Sequence, residues 1–199
     1  MSEQNPWRTL ASREVYSNAW IRVREDQVLG PDGQPGIYGV VETAVATGVV
    51  AVSDADEVVL VGQFRYPLEL YSWEIVEGGA EEGETPLQAA RRELQEEAGL
   101  LASSWRQLGG PVHLSNCFSN EVGVLFMAQG LTEVEASPDS TEALTLKRVS
   151  FSEAVRQVDA GEITDAMSIM GILRAARARA VEGAGTERRE GSSSSIGGA

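Results

Sequence analysis

The chain has 199 residues, of which 42% are hydrophobic, and its formal net charge is −14. This charge argues against a nucleic-acid ligand, whose phosphates would be repelled, and the single cysteine, Cys117, excludes an internal disulfide. No apolar run is long enough to span a membrane, and the polar N-terminus lacks the plan of a signal peptide. We therefore expect a cytoplasmic protein.

The N-terminal part, residues 1–44, is predicted to form a small antiparallel sheet. Residues 1–14 show no periodic pattern, but residues 15–28 mix apolar and charged side chains as a half-buried strand pair does. The turn sequence Gly30-Pro31-Asp32-Gly33 follows, and residues 37–41 return as a further strand. Such a sheet is marginally stable alone and needs a partner surface.

Two short apolar runs come next, residues 47–52 and 58–64, with Asp54-Ala55-Asp56 between them. The pattern predicts a β-hairpin. Arg65 follows the second run directly, so it lies at the end of a strand. From the residues alone, contact with a ligand and exposure to solvent are equally consistent with that position.

The stretch from Gly78 to Leu100 predicts a glycine-rich turn followed by a helix. Thr85 suits the N-cap, Pro86 the first helical position, and Gln88 completes a capping box. Gly99 stands where a left-handed C-terminal cap is expected. An apolar face made by Leu87, Ala90, Leu94 and Ala98 can pack on a core.

Glu93, Glu96 and Glu97 share an adjoining face of this helix. Like charges at this spacing repel, and a hard divalent cation with oxygen ligands would offset the repulsion. From the helix alone, a solvated acidic face is the slightly favoured interpretation.

The whole stretch matches a longer pattern, which decides between these interpretations. A Gly, five free positions and a Glu are followed, after seven free positions, by Arg-Glu-aliphatic-any-Glu-Glu-any-Gly-aliphatic. The matching residues are Gly78, Glu84, Arg92, Glu93, Leu94, Glu96, Glu97, Gly99 and Leu100. This pattern is the Nudix box. From about residue 16 to residue 179 the chain resembles the nucleoside-diphosphate-sugar branch of the Nudix hydrolases, in particular the ADP-ribose pyrophosphatases.

After the box, strands are predicted around residues 105–108, 121–128 and 143–149. Ser150 begins a helix that ends near Asp159, and Thr164-Asp165 begins the last helix. From residue 182 the sequence is small and polar, which predicts a disordered tail at 182–199. The order of elements indicates an α+β domain at 45–181, with a mixed sheet between helices. The resemblance implies the same fold, with the N-terminal sheet forming a homodimer.

The resemblance also implies roles for individual residues. Glu93, Glu97 and the backbone carbonyl of Glu77 would hold Mg²⁺, with Mn²⁺ as an alternative, and Glu96 would support a water or a further ion. Arg92 would orient the box carboxylates. Arg65, Glu74 and Glu121 would bind substrate. Glu142, or a box glutamate, would accept the proton, with Asp139 as the second candidate for this late-loop carboxylate.

Two departures from the family pattern affect these expectations. The usual Glu-aliphatic-Pro-Ala-Gly before the box is here Glu74-Ile75-Val76-Glu77-Gly78, so Glu77 adds a carboxylate. The usual Ser-Pro-Gly signature is replaced by Ser115-Asn116-Cys117, which weakens the preference for ADP-ribose.

The sequence therefore predicts Mg²⁺-dependent hydrolysis of a nucleoside diphosphate sugar, with ADP-ribose as the leading substrate and GDP-mannose or another sugar nucleotide as the alternative. Two hypotheses come from other classes of protein: a sensor that binds a nucleotide sugar without hydrolysis, and an assembly scaffold built on the N-terminal sheet. His113 and Cys117 are interpreted as structural residues. Trp73, Tyr66 and Phe118 are candidates for stacking on a base, although each also suits the core.

Overall fold

The computed structural model describes the backbone of residues 4–137 and 143–193, and the side chains of this part as far as residue 182. In chain order the strands and helices are β1 (Arg8–Ser17), β2 (Ile21–Leu29), β3 (Pro35–Thr43), β4 (Ala46–Ala51), β5 (Glu57–Arg65), β6 (Leu70–Glu74), β7 (Val76–Gly79), α1 (Pro86–Ala98), β8 (Leu100–Gln107), β9 (Val112–His113), β10 (Val122–Glu133), β11 (Thr145–Ser150), α2 (Phe151–Asp159) and α3 (Ala166–Ser193). A short 3-10 helix, Tyr66–Leu68, follows β5.

The N-terminal sheet is antiparallel, in the order β1-β2-β3, as predicted. Its first strand begins at Arg8, inside the stretch where the sequence showed no pattern. Every residue of β1 is exposed, so no alternation of buried and exposed positions marks it in the sequence.

A mixed sheet lies at the centre of the fold, in the order β7-β4-β10-β8, with β9 paired to β10. β4 and β10 run parallel, and the remaining pairs of this sheet are antiparallel. Val50 and Leu125 pack in a cluster with Ile172 of α3. Val49 and Phe126 point the other way, into a cluster with residues of α1. Because side chains alternate along a strand, the sheet is covered by a helix on each face, which confirms the predicted α+β arrangement.

The predicted hairpin of residues 47–64 is wrong. β4 belongs to the mixed sheet, whereas β5 lies in a third sheet of order β11-β5-β6. Just after β4 the chain turns, with an isolated bridge between Val52 and Val58 and a hydrogen bond from the Ser53 N–H to the Glu57 carbonyl, but within the described residues the two strands do not pair along their lengths. Both strands are buried on both faces, and each is central in its own sheet with neighbours along both edges. A simple hairpin would leave one edge of each strand unpaired.

Helix α1 confirms the local prediction at both ends. Thr85 is the N-cap and forms the reciprocal capping box with Gln88, and Gly99 ends the helix with φ 61°. Only glycine adopts this left-handed conformation routinely. Leu94 and Ala90 are fully buried, so the apolar face of α1 is fixed on the mixed sheet.

The last helix, α3, is longer than the sequence indicated. Its backbone stays helical to Ser193, through residues that were expected to begin a disordered tail. This part contains good helix formers such as Glu187 and Arg188. Residues 194–199 lie outside the described residues, and the division of the chain at residues 44 and 181 stays a prediction.

Candidate functional site

Arg92 is the centre of a charged network on α1. Its guanidinium donates to both carboxylate oxygens of Glu84 at 3.1 Å, to Glu93 Oε1 at 2.7 Å and to Glu96 Oε2 at 3.0 Å. It also donates to the carbonyl of Gly79 at 2.8 Å, which ties α1 to β7. These hydrogen bonds raise the pKa of Arg92, that to Glu84 having the largest effect, and they lower the pKa of Glu84. One planar cation therefore holds three box carboxylates in place.

Glu93 lies against the glycine that opens the box. A Cβ on Gly78 would lie 2.0 Å from both Cδ and Oε1 of Glu93, which is well inside van der Waals contact. The missing side chain at residue 78 is thus the space that the Glu93 carboxylate occupies. This close approach explains why the box needs glycine here, since the backbone conformation does not require it.

Glu97 joins the same place from the next turn of α1. It is buried, with 5% exposure, and its Oε2 accepts a hydrogen bond from the backbone N–H of Glu77 at 3.2 Å. Glu93, Glu97 and residues 77–78 of β7 are therefore neighbours, as the metal-site prediction requires.

The donor chemistry of this group fits a hard divalent cation, because carboxylate and carbonyl oxygens are the ligands that Mg²⁺ prefers. Within the described ranges, however, no three Asp, Glu, His or Cys side chains are already grouped as metal ligands. Glu93 and Glu96 face the Arg92 guanidinium instead. The structure thus supplies the ligand types and their neighbourhood, and the metal site itself stays a proposal.

A cleft of about 730 Å³ opens beside β7. Its walls include Trp20, between β1 and β2, Thr43 of β3, Glu77 to Gly79 of β7, and Asp165 to Met167 at the start of α3. Arg65, His113 and Glu121 complete the part that carries polar chemistry. Apart from Arg65 the titratable groups are mainly carboxylates, so a bound cation would help a phosphate to enter.

A second cavity, of about 460 Å³, lies between the start of α1 and the strands β8 and β10. Trp105 and Phe126 form its apolar walls, and none of the described residues that line it has a titratable side chain. Hydrolysis needs groups that bind charge and move protons. The acidic cleft beside β7 is therefore the candidate active site.

Arg65 and Glu74 form an ion pair next to this cleft. Arg65 Nε donates to both Glu74 oxygens, at 3.0 and 3.1 Å, and Nη2 makes a third, shorter contact. Glu74 is almost completely buried, whereas about a third of the Arg65 side chain is exposed. Glu74 therefore fixes Arg65, and the exposed part of the guanidinium faces the cleft.

Asp165 and Ser168, at the start of α3, are the site residues that the sequence analysis missed. Ser168 is fully buried; its hydroxyl donates to Glu77 Oε1 at 2.9 Å and accepts from the N–H of Ile75 at 2.9 Å. Burial, and then the nearby Asp165 carboxylate, raise the pKa of Glu77 well above its ordinary value. The Glu at position 77 and the helix start at Thr164-Asp165 were both visible in the sequence, but nothing local showed that they meet.

The other residues singled out in the sequence differ in their exposure and in their distance from the cleft. His113 lines the cleft, and Cys117 is exposed. Tyr66 and Phe118 are exposed, whereas Trp73 is half-buried, with Lys147 Nζ 4.0 Å from the centre of its ring. Glu142 and Asp139, the predicted late-loop carboxylates, lie outside the described residues.

The box network, the mixed sheet between helices and the N-terminal sheet together define a Nudix protein. The NUDIX domain matches residues 42–167, and the nucleoside diphosphate sugar hydrolase N-terminal domain matches residues 7–41. The chain therefore belongs to the Nudix family and is a Nudix hydrolase, of a family that generally uses divalent metal ions.

Two proteins of known name and one solved structure are similar to this chain over most of its length. The chain is 34% identical to an ADP-ribose pyrophosphatase of Mycobacterium tuberculosis, over 85% of this chain and 83% of the relative. It is 30% identical to an ADP-ribose pyrophosphatase of Bacillus subtilis, over 83% and 90% respectively. The crystal structure of an ADP compounds hydrolase superposes with a TM-score of 0.81 at 19% identity, over 92% of this chain and 99% of that one, which supports the fold. None of the helices in the described ranges is long and apolar enough to cross a membrane.

Proposed function

We propose that the protein hydrolyses the pyrophosphate bond of a nucleoside diphosphate sugar, with ADP-ribose as its main substrate. The products would be a nucleoside monophosphate and a sugar phosphate. The observation that carries this proposal is that β7 links the box to the cleft. Glu77 and Gly78 line the cleft, and they also approach Glu97 and Glu93 of α1.

Glu93, Glu97 and the Glu77 carbonyl would hold Mg²⁺, with Mn²⁺ as an alternative. The cation would neutralise charge on the pyrophosphate and activate a water for attack. Arg92 keeps Glu93 and Glu96 in position through its hydrogen bonds. Glu96 is the most exposed of these carboxylates, which suits a role in binding water. Proton acceptance by Glu142 or a box glutamate stays a prediction.

Arg65 is the cation that would contact the substrate diphosphate from the cleft wall. Glu74 orients it through the ion pair. Glu121 lines the same cleft, and its carboxylate could accept hydrogen bonds from sugar hydroxyls. Similarity to two relatives named ADP-ribose pyrophosphatase supports the choice of ADP-ribose.

A homodimer formed through the N-terminal sheet is part of the proposal. Several large apolar side chains of this region are exposed: Trp7, Leu10, Val15, Tyr16, Trp20 and Ile37. Exposed apolar surface of this kind favours association. A cytoplasmic location stays a prediction.

A different sugar nucleotide, such as GDP-mannose, is the second candidate substrate. Ser115, the first residue of the segment that departs from the usual Ser-Pro-Gly signature, lines the cleft and has a φ of 49°. The replaced segment thus borders the substrate space directly. A change there alters contacts with the substrate and leaves the box untouched.

A substrate panel tests the proposal. Purified protein with Mg²⁺ is incubated with ADP-ribose, GDP-mannose, UDP-glucose, a dinucleoside polyphosphate and a nucleoside triphosphate, and products are separated by chromatography. We expect a nucleoside monophosphate from ADP-ribose and none when the cation is chelated. Preferred turnover of GDP-mannose would favour the second candidate, whereas binding of ADP-ribose without turnover would favour a sensor and contradict the hydrolase proposal.

A further inference from the structure

A separate cleft of about 310 Å³ lies where the end of β8 meets the middle of α3. Three arginines line it: Arg106 from β8, and Arg174 and Arg177 from α3. This arginine cleft shares no lining residue with the acidic cleft beside β7. It lies further along the same helix that supplies Asp165 and Ser168.

The arginine cleft is unusual in a chain whose net charge is −14. Most arginines in the part of the chain that the structure describes form ion pairs with carboxylates, but none of the ion pairs there involves Arg174 or Arg177. Arg174 donates instead to the carbonyls of Leu108 and Gly110, at 2.9 and 2.8 Å. Carbonyl oxygens fix the guanidinium without neutralising its charge, so the arginine cleft is electropositive.

The third arginine is held by a contact that a ligand can displace. Arg106 pairs with Glu182, and their side chains are 44% and 62% exposed. Exposed ion pairs contribute little, typically about 0.2–1 kcal/mol. An anion of higher charge density could therefore compete with Glu182 for Arg106.

We propose that the arginine cleft binds a small phosphate-bearing anion. Guanidinium groups match the geometry of phosphate oxygens and donate paired hydrogen bonds to them. Arg174 and Arg177 are three residues apart on α3 and so lie on one face of the helix. The volume is at the lower end of ligand sites, which suits a sugar phosphate or free phosphate better than a whole nucleotide sugar. Leu108, Ala178 and Val181 provide an apolar wall beside the charges.

Calorimetric titration of the full chain with inorganic phosphate and with ribose 5-phosphate, in buffer containing chelator, tests this proposal. Without a divalent cation the carboxylates of the acidic cleft repel both probes. In Arg177→Ala we expect the affinity to fall about tenfold, because one charge-assisted contact is lost. Glu182→Gln releases Arg106 and should bind both probes about two- to fivefold more tightly.

Arg148→Ala is the matched control, because it removes one exposed arginine of β11, paired with Glu133, away from the arginine cleft. It should bind the probes as the wild type does. Stronger binding of ribose 5-phosphate would identify a sugar phosphate as the ligand, and equal binding would identify free phosphate. Unchanged affinity in Arg177→Ala, an equal loss in Arg148→Ala, or no binding to the wild type would overturn the proposal.

Discussion

Replacing Gly78 with alanine tests how the box is packed. The new Cβ would lie 2.0 Å from Cδ of Glu93, whereas an ordinary contact begins near 3.4 Å, so the carboxylate must move by at least about 1.4 Å. Displacing a catalytic group by about 1 Å can cost a hundredfold in rate. We expect kcat/KM for ADP-ribose to fall about a hundredfold or more in Gly78→Ala. Stability should fall by at most about 3 kcal/mol, the usual range for an overpacked site, because a side chain can rotate away.

Gly79→Ala is the matched control, one residue further along β7. Its Cβ would meet only the Cβ of Ala44, at the ordinary contact distance of 3.9 Å, within the described residues. The Gly79 carbonyl that accepts from Arg92 is kept. The assay measures AMP release with Mg²⁺, together with the thermal unfolding of each variant. If Gly78→Ala and Gly79→Ala kept equal, near wild-type activity, the argument that Gly78 makes room for Glu93 would be refuted.

Three further predictions rest on other contacts of the site. Arg65→Met should lower the free energy of unfolding by about 2–3 kcal/mol in a urea titration, because the buried Glu74 carboxylate loses its partner while Arg65 itself is partly exposed. Adding Glu74→Gln should restore most of the lost stability. Equal stability of the single and the double variant would contradict this. The pKa of Glu77 is raised in the folded protein, so the folded state binds this proton more tightly and loses stability as pH rises above the unfolded value near 4.5. In metal-free buffer Glu77→Gln should therefore melt higher than the wild type at pH 7, with the difference shrinking towards pH 4; a difference independent of pH would refute the assigned cause. Arg92→Lys should lower kcat at least about tenfold, because an ammonium group cannot reproduce the planar set of hydrogen-bond donors of a guanidinium. A wild-type kcat in this variant would show that a positive charge at residue 92 is sufficient.

Local signals in the sequence were sufficient to place α1 and the face on which its carboxylates lie. The cap residues Thr85 and Gly99 and the apolar face with Leu94 lie within a few residues of the backbone that they fix. The side chains that meet Arg92 also lie on this helix or shortly before it. The box was therefore predictable because its geometry is local.

Contacts between distant segments could not be read from the sequence in the same way. Ser168 meets Glu77 across 91 positions of the chain, and no periodic pattern links the two residues. β4 and β5 looked like a hairpin because they are adjacent and apolar, but each finds its partners elsewhere in the chain. The first part of β1, residues 8–14, was missed for a different reason, since its exposed residues have no buried face to reveal it.

The most direct test of the account is Mg²⁺-dependent hydrolysis of ADP-ribose by Glu97→Gln. The amide oxygen of the substituted side chain could still accept the hydrogen bond from the Glu77 N–H, so the fold should be kept while the charge that would hold the cation is lost. Glu82→Gln, an exposed change outside the specified box positions, is the control. We predict a fall in kcat of at least about a hundredfold in Glu97→Gln and little change in Glu82→Gln. Wild-type turnover by a folded Glu97→Gln protein would contradict the proposed metal site and the mechanism based on it.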